Sequence, residues 1–563
     1  MSTPPPSDPP VDDDSQILST SIGWRHEMVP ETALIKTTKA EARGKARLDR
    51  PVISAMRGIG VVAAPCLLIY AVLWIIDFAG VPDSRPLELL DVEGVVDTLV
   101  SFSEVTVGVL GIATTVVAII VELAATRYTP RLTELFVRDP INVAAMLGFV
   151  LSSVLVLWIN LSLHGPHFPS AMAYAATVLM SLSLLAILPY FAYVFDFLSP
   201  TRVIQRIQLG GSRAIARLLS DGKQLDDKKL EGQRLEVMRS VEQLGDIAAN
   251  SVDNKDKSLA IAGVNALAEL VRDHIDAKPH LPDRWFDTND LIHVDQDFVA
   301  FHVDIVRTLS IRRTWVEMKI FRQYQSIFGD ALNKMRDINH LIAIQTRRIG
   351  RYAHEAEDPH TLQLALHFLN TFMRAAVNGR DIRTAYNLLN EYRLLGETML
   401  RANDPELVLE IAGFIKFYGQ LAFSSQLAFI LETAAYDLCA LLEQASGRES
   451  KLHDDLLELF LDVDREPEAG KVQEASLLGV RKAQIRLATH YLVRDMNGHA
   501  RRIYMDMRDE SAGRLQKIRR ELEAVKRAEY WEVSDRGINF EYLSPKRRAT
   551  LDTFFGWFEQ LEG

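Results

Sequence analysis

The stretch Asp97–Thr129, DTLVSFSEVTVGVLGIATTVVAIIVELAATRYT, decides how the rest of the chain is read. Its small and polar residues recur at alternating steps of four and three: Asp97, Ser101, Glu104, Gly108, Gly111, Thr115, Ala118, Glu122, Ala125 and Thr129. That spacing keeps them on one face of an α-helix. The remaining positions are mostly Val, Leu, Ile and Ala, with no charge between Glu104 and Glu122, so the helix is apolar enough for a bilayer. The small face must meet something other than lipid.

Working outward, three more apolar runs flank this one. The spans are expected at about 58–76, 99–121, 141–163 and 170–198. Each approaches the ~20 residues that cross a hydrocarbon core. Pro65 and Pro189 lie inside spans, where neighbouring helices can satisfy the freed carbonyls. Asp139-Pro140 reads as a cap and first-turn proline opening the third span. Lys and Arg flank one side only: Lys36, Lys39, Arg43, Lys45 and Arg47 before the first span, Arg127, Arg131 and Arg138 after the second, and Arg202, Arg206 and Arg213 after the fourth. The other two loops are acidic or uncharged apart from Arg85. The positive-inside rule then puts both ends of the chain in the cytoplasm of a bacterial inner membrane. The opening residues MSTPPPSDPPVDDDSQ lack the basic and apolar regions of a cleavable signal and read as disordered.

At 563 residues the chain exceeds one compact domain. The expected division is an N-terminal arm (1–50), a membrane region (51–200), a juxtamembrane helical segment (201–275) and a cytoplasmic helical domain (276–563). Residues 201–563 contain six prolines and no sustained strand alternation. Asp358-Pro359, Asp404-Pro405 and Ser544-Pro545 each place a capping oxygen before a first-turn proline. Leu362, Ala365, Leu366, Leu369, Phe372, Met373 and Ala376 follow a 3.6-residue period until Asn378-Gly379 breaks it. Residues 406–423 and 426–445 read as a further helical pair. The fold class is therefore all-α: a four-helix transmembrane bundle with a large helical domain, either an irregular bundle or an α-solenoid. Residues 501–527, with interleaved acids and bases, read as a solvated helix.

The string TVVAIIVELAATRYTPRLTELFVRDPINVAAMLGFVLSSVLVLW resembles the core of a bacterial family of predicted four-span membrane proteins of unknown function. The carrying element is Tyr128, Thr129, Pro130, Arg131 and Leu132 at the end of the second membrane helix, followed by Arg138-Asp139. LGDIAANSVDNKDKSLAIAGVNALAEL, residues 244–270, is similar to a helix-turn-helix segment of that family, its turn at Asp253, Asn254 and Lys255. The resemblance covers roughly residues 55–275. It implies a β-rich segment ahead of that helix-turn-helix, where this chain has helix-like sequence. It implies architecture and no activity.

The chemistry-bearing motifs are sparse. Two cysteines, Cys66 and Cys439, cannot form a disulfide framework or a zinc site. His354, Glu355, Glu357, Asp358 and His360 gather in sequence, but without metal-ligand spacing on one helix. Gly210-Gly211-Ser212 lacks the Lys-Ser/Thr of a P-loop. No catalytic residue, cofactor or metal is expected, and the chain is read as a non-enzyme. The net charge of −11 argues against nucleic acid as partner.

Two readings of the stripe from Asp97 to Glu122 remain: a helix-packing face, or the lining of an oligomeric pore whose Glu rings favour cations. The expected partners are the bilayer, further copies of the chain and a cytoplasmic protein. The functional expectation is a membrane-anchored helical interaction or sensing platform, with an ion channel or transporter as the alternative.

Overall fold

The structure, a computed structural model, describes residues 67–77, 92–127, 132–162, 170–221, 226–288, 290–447, 450–464, 477–530, 533, 535–537 and 539–559. The N-terminal arm, the start of the first span, and Tyr128, Thr129, Pro130 and Arg131 of the family-like element lie outside them. Every regular element among the described residues is helical. In the membrane region these are α1 (Leu67–Asp77), α2 (Val92–Arg127), α3 (Leu132–Arg138), α4 (Pro140–Ser162) and α5 (Ser170–Phe197). Then follow α6 (Pro200–Asp221), α7 (Asp227–Asp253), α8 (Lys257–Ala277), two 3₁₀ turns, α9 (Asp290–His293), α10 (Val303–Ile311), α11 (Trp315–Ala331) and α12 (Arg336–Glu355). The remainder is α13 (Pro359–Asn378), α14 (Ile382–Ala402), α15 (Pro405–Ser424), α16 (Ala428–Ala445), α17 (Ser450–Leu461), α18 (Leu477–Val493), α19 (Asn497–Asp506), α20 (Ala512–Ala524), α21 (Pro545–Arg548) and α22 (Leu551–Glu559).

The chain divides into two compact units, residues 1–113 with 140–188, and residues 114–139 with 189–563. In the first, Leu99, Val156, Ile159, Met172, Ala176 and Met180 form a buried apolar cluster, with Tyr70 and Leu73 packed against it. Polar pairs cross between its helices. Asn160 Nδ2 donates to Ser103 Oγ at 2.6 Å, and Ser152 and Ser183 share a hydrogen bond at 2.7 Å. Such bonds contribute about 0.6 kcal/mol each, more in the best cases, where no water competes. Both Asp77 carboxylate oxygens accept the backbone N–H groups of Ala171 and Met172, capping α5.

Four helices are long and apolar enough to cross a membrane: residues 96–126 of α2, α4, residues 171–197 of α5, and α15. Of the apolar window of α15, 44% is buried inside the protein, against 22% for each of the others. Ile411, Ala412, Ile415 and Ala422 face the neighbouring helices, so its apolarity is that of a protein core.

In the second unit, each helix from α12 to α16 packs against the next and the next but one. This is the stacking of an α-solenoid, and it decides between the two helical architectures left open by the sequence. One turn device recurs. Lys255, Glu357, Arg380 and Asn403 hold φ of 59°, 57°, 50° and 62°, each immediately before an aspartate. Asp256, Asp358, Asp381 and Asp404 donate their N–H to a carbonyl five residues back, as a Schellman turn requires. Their carboxylates then cap the next helix at Leu259, Thr361, Thr384 and Leu407. The helices α7 and α8 meet at such a turn, where the helix-turn-helix is expected. No strand separates them from the membrane helices among the described residues, only α6.

Residues 501–527 do not form one solvated helix. They make α19 and α20, and Ile503, Leu515, Ile518 and Leu522 are buried, because the charged run carries an apolar stripe that α18 and its neighbours cover. Arginines of the adjacent pairs 347–348, 501–502 and 547–548 also work inside the fold. Arg347 holds Glu391 and Arg502 holds Asp454, and Arg548 donates to the carbonyls of Val525 and Leu543.

Candidate functional site

The sequence-derived stripe lies on the outward side of α2. Asp97, Ser101, Glu104, Gly108, Gly111, Thr115, Ala118 and Glu122 are all exposed. The side that packs inside the chain is Leu99, Ser103, Thr106, Leu110, Ala113, Val117 and Val121, and Ala125, which the spacing assigns to the stripe, is buried with it because the buried line drifts by one residue over the last two turns. The two sets are offset by about two residues, which at 100° per residue places them on opposite faces. A Cβ built on Gly108 or Gly111 meets nothing within 4 Å, so neither glycine serves a close approach among the described residues. Glu104 and Glu122 are separated by roughly 27 Å along the axis at 1.5 Å per residue, close to the ~30 Å of a hydrocarbon core. Of the family-like element, only Leu132 is described, as the first residue of α3.

A second site is built by the solenoid. Alternate helices in such a stack run parallel, so the first turns of α12, α14 and α16 reach one edge. A cavity of about 680 Å³ opens there. It is lined by Arg336 at the start of α12, Arg380 and Arg383 around the start of α14, and Phe429 and Glu432 in the first turns of α16, with Tyr530 and Phe540 closing it from the segment after α20. Neither Met335 nor Leu427, the residues preceding α12 and α16, caps its helix with a side chain. The first turn of α12 carries the Asp337 carboxylate, whereas that of α16 has no acidic side chain.

The cations differ in their engagement. Arg336 Nε donates to Asp381 Oδ2 at 3.1 Å, and the Asp381 side chain is fully buried. Arg383 makes a forked pair with Asp535, at 2.8 and 2.9 Å. Arg380 is exposed, and among the described residues it has no acidic partner.

The aromatic wall is pre-assembled. Arg536 pairs with buried Asp437 at 2.7 Å and lies 4.1 Å from the Tyr386 ring centroid. Tyr386 stacks on Phe429 at 5.8 Å, and Phe540 stacks on Tyr436 at 4.9 Å. Phe429 stays 48% exposed despite this support.

Glu432 is the unusual group. It is half-buried, lines the cavity, and makes no hydrogen bond or ion pair among the described residues. Burial pushes its carboxyl up from the ordinary value; Glu541 and Glu521 add to that, and Lys482 opposes it. Lys482 is itself committed to Glu541 and Glu521, at 2.6 and 2.8 Å.

No single sequence motif announces this site, since its residues come from four separated segments. The local signal available was the aromatic and acidic content of 525–541. The His354–His360 group is dispersed: Asp358 caps α13 and binds Lys278, while Glu355 pairs with Arg351.

No curated protein matches the chain. A solved "circular tandem repeat protein with novel repeat topology and enhanced subunit contact surfaces" aligns over 77% of this chain and 98% of its own, at 13% identity and a TM-score of 0.34, too low to inform the fold. The helices α1, α2, α4 and α5 and all but the last turn of the helix-turn-helix of α7 and α8 fall within residues 52–273, and over that span the chain matches the family described as "Predicted membrane protein (DUF2254)", a membrane protein family of unknown function.

Proposed function

We propose that this protein is a membrane-anchored sensing platform, held in a bacterial inner membrane by α1, α2, α4 and α5, with both termini and the helical stack in the cytoplasm. The basic residues flanking one side of the spans support this orientation. The observation that carries the sensing role is the cavity at the edge of the stack. Its volume lies within the ~300–1,000 Å³ of small-ligand sites, and it combines an apolar wall with few, convergent polar groups. The test uses the full chain in nanodiscs and a panel of nucleotides, amino acids, sugar phosphates and aromatic acids, read by thermal unfolding. At least one member stabilises the wild type and fails to stabilise Ile382→Trp, which places an indole in the cavity wall and narrows it. A panel in which no member acts through the cavity overturns the reading.

The outward stripe on α2 favours a second role, in which copies of the chain assemble through that face and Glu104 and Glu122 ring a cation path. Reconstituted liposomes decide it: cation flux lowered by Glu104→Gln or Glu122→Gln supports the path, and no flux in the wild type rejects it.

A further inference from the structure

The cavity at the start of α12, α14 and α16 carries a narrower conclusion about what it holds, which rests on the sensing role above. Its features follow the order of the parallel helices. Arginines stand at α12 and α14, the supported aromatic face at α14 and α16, and the unpaired carboxyl of Glu432 at α16 beside Gly479 of α18. An anionic group is favoured at the arginine end. Arg380 brings an uncommitted guanidinium, and the first turn of α16 on the same edge has no acidic side chain to offset its partial positive charge. A flat, apolar ring is favoured in the middle. Phe429 stacks on Tyr386, whose ring is itself held against Arg536, and exposes nearly half its surface, with Tyr530 also lining the space. A hydrogen-bond donor is favoured at the far end, where Glu432 holds acceptor oxygens without a partner among the described residues. A simple anion would leave the ring face and the carboxyl unused. An aromatic cation would meet the uncompensated charge of Arg380.

We propose that this cavity binds a nucleoside phosphate whose base carries an exocyclic amino group: the base lies on Phe429, its amino edge donates to Glu432, and the phosphate meets Arg380 and the first turns of the helices. Stacking of a base on an aromatic side chain is worth enough to change affinity by tenfold or more.

The experiment measures binding of AMP, UMP, adenosine and ribose 5-phosphate to the full-length protein in nanodiscs by equilibrium dialysis. AMP binds, and the other three bind at least roughly tenfold more weakly. Phe429→Ala weakens AMP by about tenfold. Arg380→Ala weakens AMP and leaves adenosine unchanged, and Glu432→Gln narrows the difference between AMP and UMP. Circular dichroism confirms that these surface and cavity variants keep the wild-type helix content. Ribose 5-phosphate matching AMP overturns the proposal in favour of a bare anion site, and UMP matching AMP removes the role of Glu432. If no nucleotide binds while another panel member acts through the cavity, the nucleotide assignment falls and the sensing role stands; if nothing acts there, both fall.

Discussion

Glu432 fills the space that a Cβ on Gly479 would need: that atom would lie 2.1 Å from the Glu432 carboxyl carbon and 2.3 Å from its Cγ. Gly479 sits in the first turn of α18, where alanine would ordinarily be the better helix former by about 1 kcal/mol. Its presence lets Glu432 lie against α18. The two substitutions are therefore coupled. Gly479→Ala alone is expected to lower the melting temperature by displacing the carboxyl. In a Glu432→Ala background the same change becomes neutral or stabilising by up to about 1 kcal/mol. A double-mutant cycle of thermal unfolding checks this, and additive effects would refute the packing relationship.

Glu317 has a fully buried side chain and accepts from His274 Nδ1 at 2.8 Å and Lys278 Nζ at 2.9 Å. Trp285 Nε1 donates to the other ring nitrogen of His274 at 3.0 Å. Burial alone would raise the Glu317 carboxyl, but the His274 and Lys278 groups outweigh it and hold it at about 2. The folded state keeps Glu317 ionised below the ordinary glutamate value of about 4.3. Its stabilisation is present above that value and is lost as pH falls towards 2. Glu317→Ala, which leaves buried His274 Nδ1 without its acceptor and Lys278 with Asp358 as its remaining acidic partner, is expected to cost about 1–3 kcal/mol near neutral pH. Glu317→Gln should flatten the acid limb of the stability profile below pH ~4.3. Chemical denaturation across pH 2–7 measures both.

His453 and His490 shift the other way. Burial, the largest cause for both, lowers each imidazole to about 4. His453 Nε2 hydrogen-bonds the Tyr491 hydroxyl at 2.8 Å, and Arg547 donates to His490 Nδ1 at 2.8 Å. The unfolded chain takes up these protons near pH ~6.5 and the folded chain near pH 4. Stability is unaffected above pH ~6.5 and falls as pH drops towards 4. His490→Gln is expected to remove part of that loss, seen as a smaller drop in melting temperature between pH 7 and 4.5. An unchanged drop would show that His490 does not contribute.

The solenoid turns predict stabilising and destabilising changes side by side. Glu357 holds φ of 57°, a left-handed conformation that costs a non-glycine residue about 1 kcal/mol. Glu357→Gly should therefore stabilise by a few tenths to 1 kcal/mol. Asp404→Ala removes only the cap on Leu407 and should cost about 1 kcal/mol. Asp381→Ala should cost more, because its buried carboxylate caps Thr384 and also accepts from Arg336 and the Asn333 N–H. Urea denaturation of the three variants gives the ranking.

Much of this architecture is legible without coordinates, because its causes are local. The 3.6-residue period of Leu362–Ala376 and the Asp-Pro pairs at 358–359 and 404–405 specify helices and their starts through contacts a few residues apart. The apolar runs specify membrane helices through the cost of leaving backbone groups unbonded in lipid. Three things depended on packing between distant segments. The charged run 501–527 hid an apolar stripe whose partner is α18, far off in sequence. Arg336, Arg383, Glu432 and Phe540 share a cavity only because alternate helices run parallel. The stripe from Asp97 to Glu122 is visible as one helix face in the sequence alone, since helical periodicity places it there. Which way that face points was decided by α2 burying Leu99, Leu110, Val117 and Val121 instead, the larger apolar surfaces, and so turning its glycines and carboxylates outward.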